Sequence, residues 1–400
     1  MTDFIGGDAL VNLRHHLLPG LWPLLVAFAI CAVAVPLMIW VSRRTGMLAV
    51  PGERHTHMKP TPLLGGLALY LGFAAAVLYF LPNDKNTVGV LVVTGLATVL
   101  LIADDRWQVR ATIKLGLQLL VALVAILAFG FKITSFGLPG EFVVQLQWLA
   151  VPVTIFWLLG MQNTVNFLDG VDGLAAGVIF IVAVTLMLAA AGLHSLPAVE
   201  LAGALAGTCL GFLLFNFHPA RIFMGDSGAH FLGTALAVIA ILGVAKVAVA
   251  FALVVPVLAL ALPIGDTAWA ILRRRRQGTS VAMPDLRHLH HRLQAFGLDP
   301  RQTCYVFYAA SAMLGALGLT LFGHGRILAV VVATSAALAL NCRGGPSAED
   351  RMAGAGSVPS APARRTIQTL GLLREWRAPR ALGRPALSLR ALEWLSRQPS

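Results

Sequence analysis

The sequence predicts an all-α polytopic membrane protein of about 11 transmembrane helices, with its polar residues gathered in a cleft on the cytoplasmic face. Three observations lead there. Mean hydropathy is +0.79. Of the 400 residues 58% are hydrophobic and 12% charged, about half the charged fraction of a soluble domain. Apolar runs of about 17–25 residues, the length that crosses a bilayer, recur along the chain, and the polar clusters between them fall on one side.

In order, the expected spans are about 21–41, 63–81, 87–103, 112–130, 148–164, 174–193, 199–217, 229–244, 247–269, 303–322 and 326–341. The first has no basic segment before it and ends in "SRR", so it reads as a retained helix rather than a cleaved leader. Eleven crossings put the termini on opposite sides. Arg14, Lys85, Lys132, Lys246 and Arg326 fall on one side, and the other 25 of 30 Lys and Arg on the opposite one. Without the ten arginines of the tail the split is still 15 to five. The richer side is therefore expected to be cytoplasmic, with the N-terminus outside and the C-terminus inside. "RRRR" at 273–276 reads as one of these topogenic anchors. The outer loop 131–146 carries a turn-like "GLPGE" between alternating residues and is expected to form a short β-hairpin.

Residues 1–342 make up the membrane domain on this reading, and 343–400 a basic cytoplasmic tail. "GGPSAEDRMAGAGSVPSAPARR" has the composition of a disordered linker. The stretch after it has a basic amphipathic pattern that suits anionic lipid, although a solvated tail is the simpler expectation. The formal net charge of +12 thus follows topology and does not point to nucleic acid. Cys31, Cys209, Cys304 and Cys342 have no CxxC spacing and give no sign of a disulfide framework or a zinc site.

With orientation assigned, five polar segments share the cytoplasmic face: "PGERHTHMKPTPLLGG" (51–66), "ADDRWQVR" (103–110), "NTVNFLDGVDG" (163–173), "NFHPARIFMGDSGAH" (216–230) and "PDLRHLHHRL" (284–293). An Asp at the centre of a membrane helix costs about 2.5–3.5 kcal/mol, and such residues usually serve a site. At the interface the cost is lower and a lone Asp is most often a helix cap. Asp104, Asp105, Asp169, Asp172 and Asp226 together on one face are harder to explain as caps. Asp104 and Asp105 are adjacent carboxylates, suited to a hard cation; Mg²⁺ takes one or two carboxylates and completes its shell with water and phosphate. Asn163, Asn166, Asp169 and Asp172 recur every third residue, which on a helix places neighbours on one face, and Gly170 and Gly173 allow unwinding there. His288 and His291 share a helical face, with His290 between them; no further Cys or His completes a zinc set. There is no P-loop and no GxGxxG. Mg²⁺-assisted chemistry on phosphates, moving a phosphoryl-linked group onto a lipid, fits this inventory and its location.

As a set, "KPTPLLGG", "NTVNFLDGVDGLAAG", "FNFHPARIFMGDSG" and "HLHHRL" resemble the polyprenyl-phosphate N-acetylhexosamine-1-phosphate transferase superfamily, over about residues 43–325. The resemblance implies a bundle of ten or eleven helices with a cytoplasmic active-site cleft. It implies transfer of an amino-sugar phosphate from a UDP-sugar to undecaprenyl phosphate with release of UMP. Mg²⁺ is the implied cofactor, with Mn²⁺ as a substitute, and a homodimer is compatible with it. By the same resemblance Asp104 would lie near the lipid phosphate as base or organiser, with Asp105 beside it as a catalytic or metal-binding carboxylate. Asp226 would ligate the metal. Asn163, Asn166, Asp169, Asp172 and Asn216 would hold the nucleotide and its surroundings, Asp169 taking part in catalysis. Phe223 would stack on uracil, Lys59 would reach the nucleotide, and His288, His290 and His291 would contact the diphosphate or sugar.

The branch acting on UDP-MurNAc-pentapeptide carries three consecutive His followed by Phe-Glu. Here "HLHHRL" looks like the GlcNAc-1-phosphate branch, which starts O-antigen, enterobacterial common antigen or teichoic-acid linkage units in a bacterial inner membrane. Two positions depart from the pattern: Gln108 stands where a third acidic residue is frequent, and "GDSGAH" has Ala229 where Ser is usual. The same chemistry on another UDP-N-acetylamino sugar, or on UDP-MurNAc-pentapeptide, is the alternative expectation. A lipid-carrier transporter without turnover is a third; it would place polar groups near the bilayer midplane, and these lie at one face.

Overall fold

In a computed structural model of the chain, residues 16–49, 60–138, 142–192, 194–242 and 299–320 are described, together with position 272. These residues form α1 (Leu18–Thr45), β1 (Leu48–Ala49), β2 (Thr61–Pro62), α2 (Gly65–Phe80), α3 (Lys85–Trp107), α4 (Ala111–Leu127), β3 (Ser135–Leu138), β4 (Phe142–Gln145), α5 (Ala150–Leu168), α6 (Leu174–Gly192), α7 (Leu196–Asn216), α8 (Gly225–Leu242) and α9 (Pro300–Thr320). The first eight expected spans and the tenth each correspond to one of these helices. The ninth and eleventh, and the tail, lie outside the described residues.

Most of these helices carry apolar residues all the way round, the pattern of a segment buried in lipid or in a bundle. Six are long and apolar enough to cross a membrane: α1, α3, α5 with the single 3₁₀ turn before it, α6, α7 and α8. α2 and α4 are apolar but shorter, at 16 and 17 residues. The fold is all-α, and the chain is a multi-pass membrane protein. Local signals set the helix ends. Asp84 caps α3 by accepting the Thr87 N–H at 2.8 Å, and proline stands in the first turn of α1 and α7. The expected hairpin is present as the antiparallel pair β3–β4, with Leu138 opposite Phe142 across the turn. Trp22 and Trp148 are exposed at one end of the bundle and Trp40 and Trp107 at the other, as interfacial aromatics are.

α1 packs along α7 and α2, α7 also along α6, and α9 along α6; α8 runs between α3 and α5. Gly203, Gly207 and Gly211 recur every fourth residue on α7 and face backbone carbonyls of Gly20, Leu24 and Phe28 on α1. A side chain at any of the three would collide with α1. This is the small-residue seam by which membrane helices approach closely.

One end of the bundle collects the polar segments. There β1 pairs with β2 (Leu48 opposite Pro62), and the segment before α8 continues the pairing: Phe223 N–H donates to Pro62 O at 2.9 Å, and Gly65 and Gly66 donate to Phe223 O and Met224 O. Gly66 lies so close to Gly228 that a Cβ would strike the backbone of α8. The "LLGG" stretch therefore docks the start of α2 against the start of α8.

Candidate active site

Asp104 and Asp105 belong to the last turns of α3, and Asp226 to the first turn of α8. Asp105 reaches across to α8: its carboxylate accepts the backbone N–H of Asp226 at 2.6 Å and of Ser227 at 3.1 Å. It thus caps a helix 121 residues further along the chain, where free N–H groups favour an anion. Gly225, at φ +70, makes the contact feasible; a Cβ there would lie 2.6 Å from the Asp105 carboxylate. Asp104 closes its own helix end by accepting the Val109 N–H at 2.8 Å.

Lys114, near the start of α4, joins these groups. Its Nζ lies 3.0 Å from Asp104 Oδ2 and makes a short ion pair with Asp226 Oδ1. The Asp226 side chain is 30% exposed and that of Asp104 only 6%, so Asp226 is the carboxylate open to a ligand from solution.

The segment between α5 and α6 supplies Asp169, Asp172 and Gly173. α5 ends at Leu168, and the chain then unwinds through Gly173 at φ +82. Asn163 and Asn166 are therefore on the helix, Asp169 is at its cap, and Asp172 has left it. The three-residue spacing does not continue along one helical face. Asp169 is partly buried; that desolvation, with the negative charges of Asp226, Asp105 and Asp172 nearby, raises its pKa well above the usual carboxylate range.

Asp172 and Asn216 bind this segment to the turn after α7. Asp172 Oδ2 accepts the Ala220 N–H at 3.0 Å and contacts His218 Nδ1 at 2.9 Å. Asn216 accepts the Gly173 N–H at 3.1 Å and donates to Ile222 O at 2.9 Å. α9 holds the same segment from the other side, Tyr308 Oη donating to Gly173 O at 2.6 Å and Cys304 Sγ to Asp172 O at 3.3 Å. Asn163 is bonded inward to Gln118 of α4. Phe223 and Asn166 are partly buried at the same end. Lys59, His288, His290 and His291 lie outside the described residues.

The structure thus brings Asp104, Asp105, Asp169 and Asp226 to one place. It turns Asp105, Asp172, Asn216 and Asn163 toward the scaffold. Sequence reasoning passed over Lys114, Gln118 and His230. A lone lysine in the run "ATIKLGLQLL" is costly in a membrane, and that cost was the available signal.

Among the described residues no group of three or more His, Cys, Asp or Glu forms a ready cage for a metal. Mg²⁺ does not require one, because it is bound through one or two carboxylates with water and phosphates. Asp104 and Asp226 already share a cation, the Lys114 ammonium, with two more carboxylates close by. Donor type and charge therefore fit a hard divalent ion at this place.

A family model for glycosyl transferase family 4 matches residues 87–244. The chain is 36% identical over 293 residues to a probable undecaprenyl-phosphate N-acetylglucosaminyl 1-phosphate transferase of Bacillus subtilis, covering 71% of this chain and 81% of the relative. It is 34% identical over 341 residues to a decaprenyl-phosphate N-acetylglucosaminephosphotransferase of Mycolicibacterium smegmatis, covering 76% and 84%. It is 35% identical over 281 residues to a phospho-N-acetylmuramoyl-pentapeptide-transferase of a Synechococcus strain, covering 66% and 80%. The chain belongs to the polyprenyl-phosphate N-acetylhexosamine-1-phosphate transferases of glycosyl transferase family 4.

Proposed function

We propose that the protein transfers GlcNAc-1-phosphate from UDP-GlcNAc to undecaprenyl phosphate, releasing UMP and starting a lipid-linked envelope polysaccharide. The observation that carries this reading is the convergence of three separate helix ends at one end of a membrane bundle: Asp104 and Asp226 share Lys114, and Asp169 lies near enough to Asp226 and Asp105 to feel their charge. A lipid acceptor and a soluble nucleotide can both reach such a place. The N-terminus is assigned to the outside and this end to the cytoplasm, on the distribution of Lys and Arg.

An oxygen of the lipid phosphate attacks the sugar-bearing phosphorus, the bond to the bridging oxygen breaks, and UMP departs. Mg²⁺, with Mn²⁺ as a substitute, would be held by Asp226 with Asp104 and would neutralise charge on the diphosphate and leaving group. Lys114 balances the same carboxylates when the substrate is away. Asp169, with its raised pKa, can hold a proton beside the phosphates. Asp105, Asp172 and Asn216 fix the positions of the segments that carry these groups. Phe223 and Asn166 are assigned to the nucleotide, and Lys59, His288, His290 and His291 to the diphosphate and sugar.

The relatives include both GlcNAc-phosphate and pentapeptide transferases at similar identity. "HLHHRL", without three consecutive His, favours the former. The test is UMP release by purified protein given undecaprenyl phosphate and Mg²⁺ with a panel of UDP-sugars. Release from UDP-GlcNAc, abolished by EDTA, is expected. Release from UDP-MurNAc-pentapeptide alone would move the protein to that branch, and no release from any UDP-amino-sugar would end the reading.

A further inference from the structure

We propose that Gln118 and His230 form a buried tie that sets the spacing of Lys114 and Asp226, and so tunes the cation site; the inference rests on the phosphotransfer reading above. Lys114 and Gln118 stand four residues apart on α4, and Asp226 and His230 four apart on α8, so each pair shares a helix face. The two helices are thereby joined by two rungs. The outer rung is the Lys114–Asp226 ion pair, partly exposed, with side chains at 18% and 30%. The inner rung is Gln118 to His230, at 1% and 0% exposure.

Donor and acceptor roles in the inner rung are fully determined. His230 Nδ1 lies 2.7 Å from Asp226 O, a carbonyl that only accepts, so Nδ1 carries the proton and donates. Nε2 is then the acceptor, and Gln118 Nε2 donates to it at 2.8 Å. The remaining Gln118 N–H points to Asn163 Oδ1 at 3.3 Å, while Asn163 Nδ2 donates to Gln118 Oε1 at 2.8 Å and to Leu159 O at 2.7 Å. The chain of bonds runs from the backbone of the partly exposed Asp226 through α4 to α5.

Two features make this a positioning device rather than general support. The backbone of α4 packs on α3 and α5, while α8 packs on α3 and α5, so long side chains are what connect α4 to α8. And an apolar pair of similar size would serve a membrane interior at least as well, because replacing both partners of a buried polar contact by apolar groups is often close to neutral for stability. What an apolar pair lacks is direction: it would not fix the distance between α4 and the first turn of α8.

The test uses the full-length protein in detergent, with Gln118→Leu, His230→Leu and the double variant. The probe is Mn²⁺ alone, titrated by electron paramagnetic resonance and supported by melting curves. Expected is a three- to tenfold weaker Mn²⁺ affinity in each single variant, no further loss in the double, and melting within a few degrees of the wild type. In turnover assays kcat should fall with KM for the nucleotide sugar little changed, and Gln118→Asn, which keeps an amide donor on a shorter arm, should recover part of the loss. Wild-type Mn²⁺ affinity in both single variants would overturn the proposal, as would a wild type that binds no Mn²⁺. A wild type that binds Mn²⁺ and shows the expected shifts, yet turns over no UDP-sugar, would sink the assigned function and leave the tie standing.

Discussion

The contacts of α7 with α1 and of α8 with α4 are made in opposite ways. Along the first, three glycines of α7 bring its backbone against the Gly20, Leu24 and Phe28 carbonyls of α1. Along the second, backbones stay apart and Lys114, Gln118, Asp226 and His230 span the gap. The first contact is dry and closed to any ligand. The second carries a carboxylate whose side chain is 30% exposed, and so can be reached by a ligand. A membrane bundle can thus hold a rigid wall and an adjustable cleft, differing only in the size and polarity of the residues at the contact.

Breaking the cleft side at its ligand should have the largest effect. Asp226→Asn keeps the shape but removes the exposed charge, and kcat for UMP release should fall about 1,000-fold or more, corresponding to several kcal/mol of charge stabilisation, while melting stays near wild type. Breaking the closed side should do the reverse. Gly207→Val places a side chain against the Leu24 carbonyl and should cost about 3 kcal/mol of stability, seen as loss of monodisperse protein in size-exclusion chromatography. Gly225→Ala touches both properties, since it forces a side chain into the left-handed region and against Asp105. A stability loss of about 1–2 kcal/mol with roughly tenfold lower kcat is expected.

Asp169→Asn gives the finest distinction, through pH. A carboxyl whose folded pKa lies above its unfolded value adds stability while protonated, and that contribution is lost as pH rises through the folded pKa. The wild type therefore carries a partly desolvated charge at high pH that the Asn variant does not. Melting curves should show Asp169→Asn the more stable of the two at pH 8, with the gap narrowing as pH falls toward the ordinary carboxylate range. An equal gap at every pH would place the Asp169 pKa at its unfolded value.

Much of this was legible because it is local. Apolar run length located the nine described helices, and the gathering of Asp and Asn between alternate runs located the end of the bundle where Asp104, Asp105, Asp169 and Asp226 meet. The misreadings have one source, which is that partners are chosen by the fold. Nothing near Asp105 in the chain announces that its carboxylate will cap α8. Asn163 to Asp172 looked like a helical face because the spacing is regular, yet the helix stops at Leu168 and Asp172 turns to the loop at His218. Lys114 was hidden by its apolar neighbours, although a charge there had to find a partner.

The segment from Asp169 to Gly173 is held by α7 through Asn216, by the Ala220 turn through Asp172, and by α9 through Cys304 and Tyr308. The last of these arrives more than 130 residues after the segment it secures. During synthesis the earlier helices can enter the bilayer and pair while this part of the pocket still lacks one of its walls. Catalytic competence should therefore mature late, only after translation has passed Tyr308, so a ribosome stalled upstream would leave an inserted but idle protein.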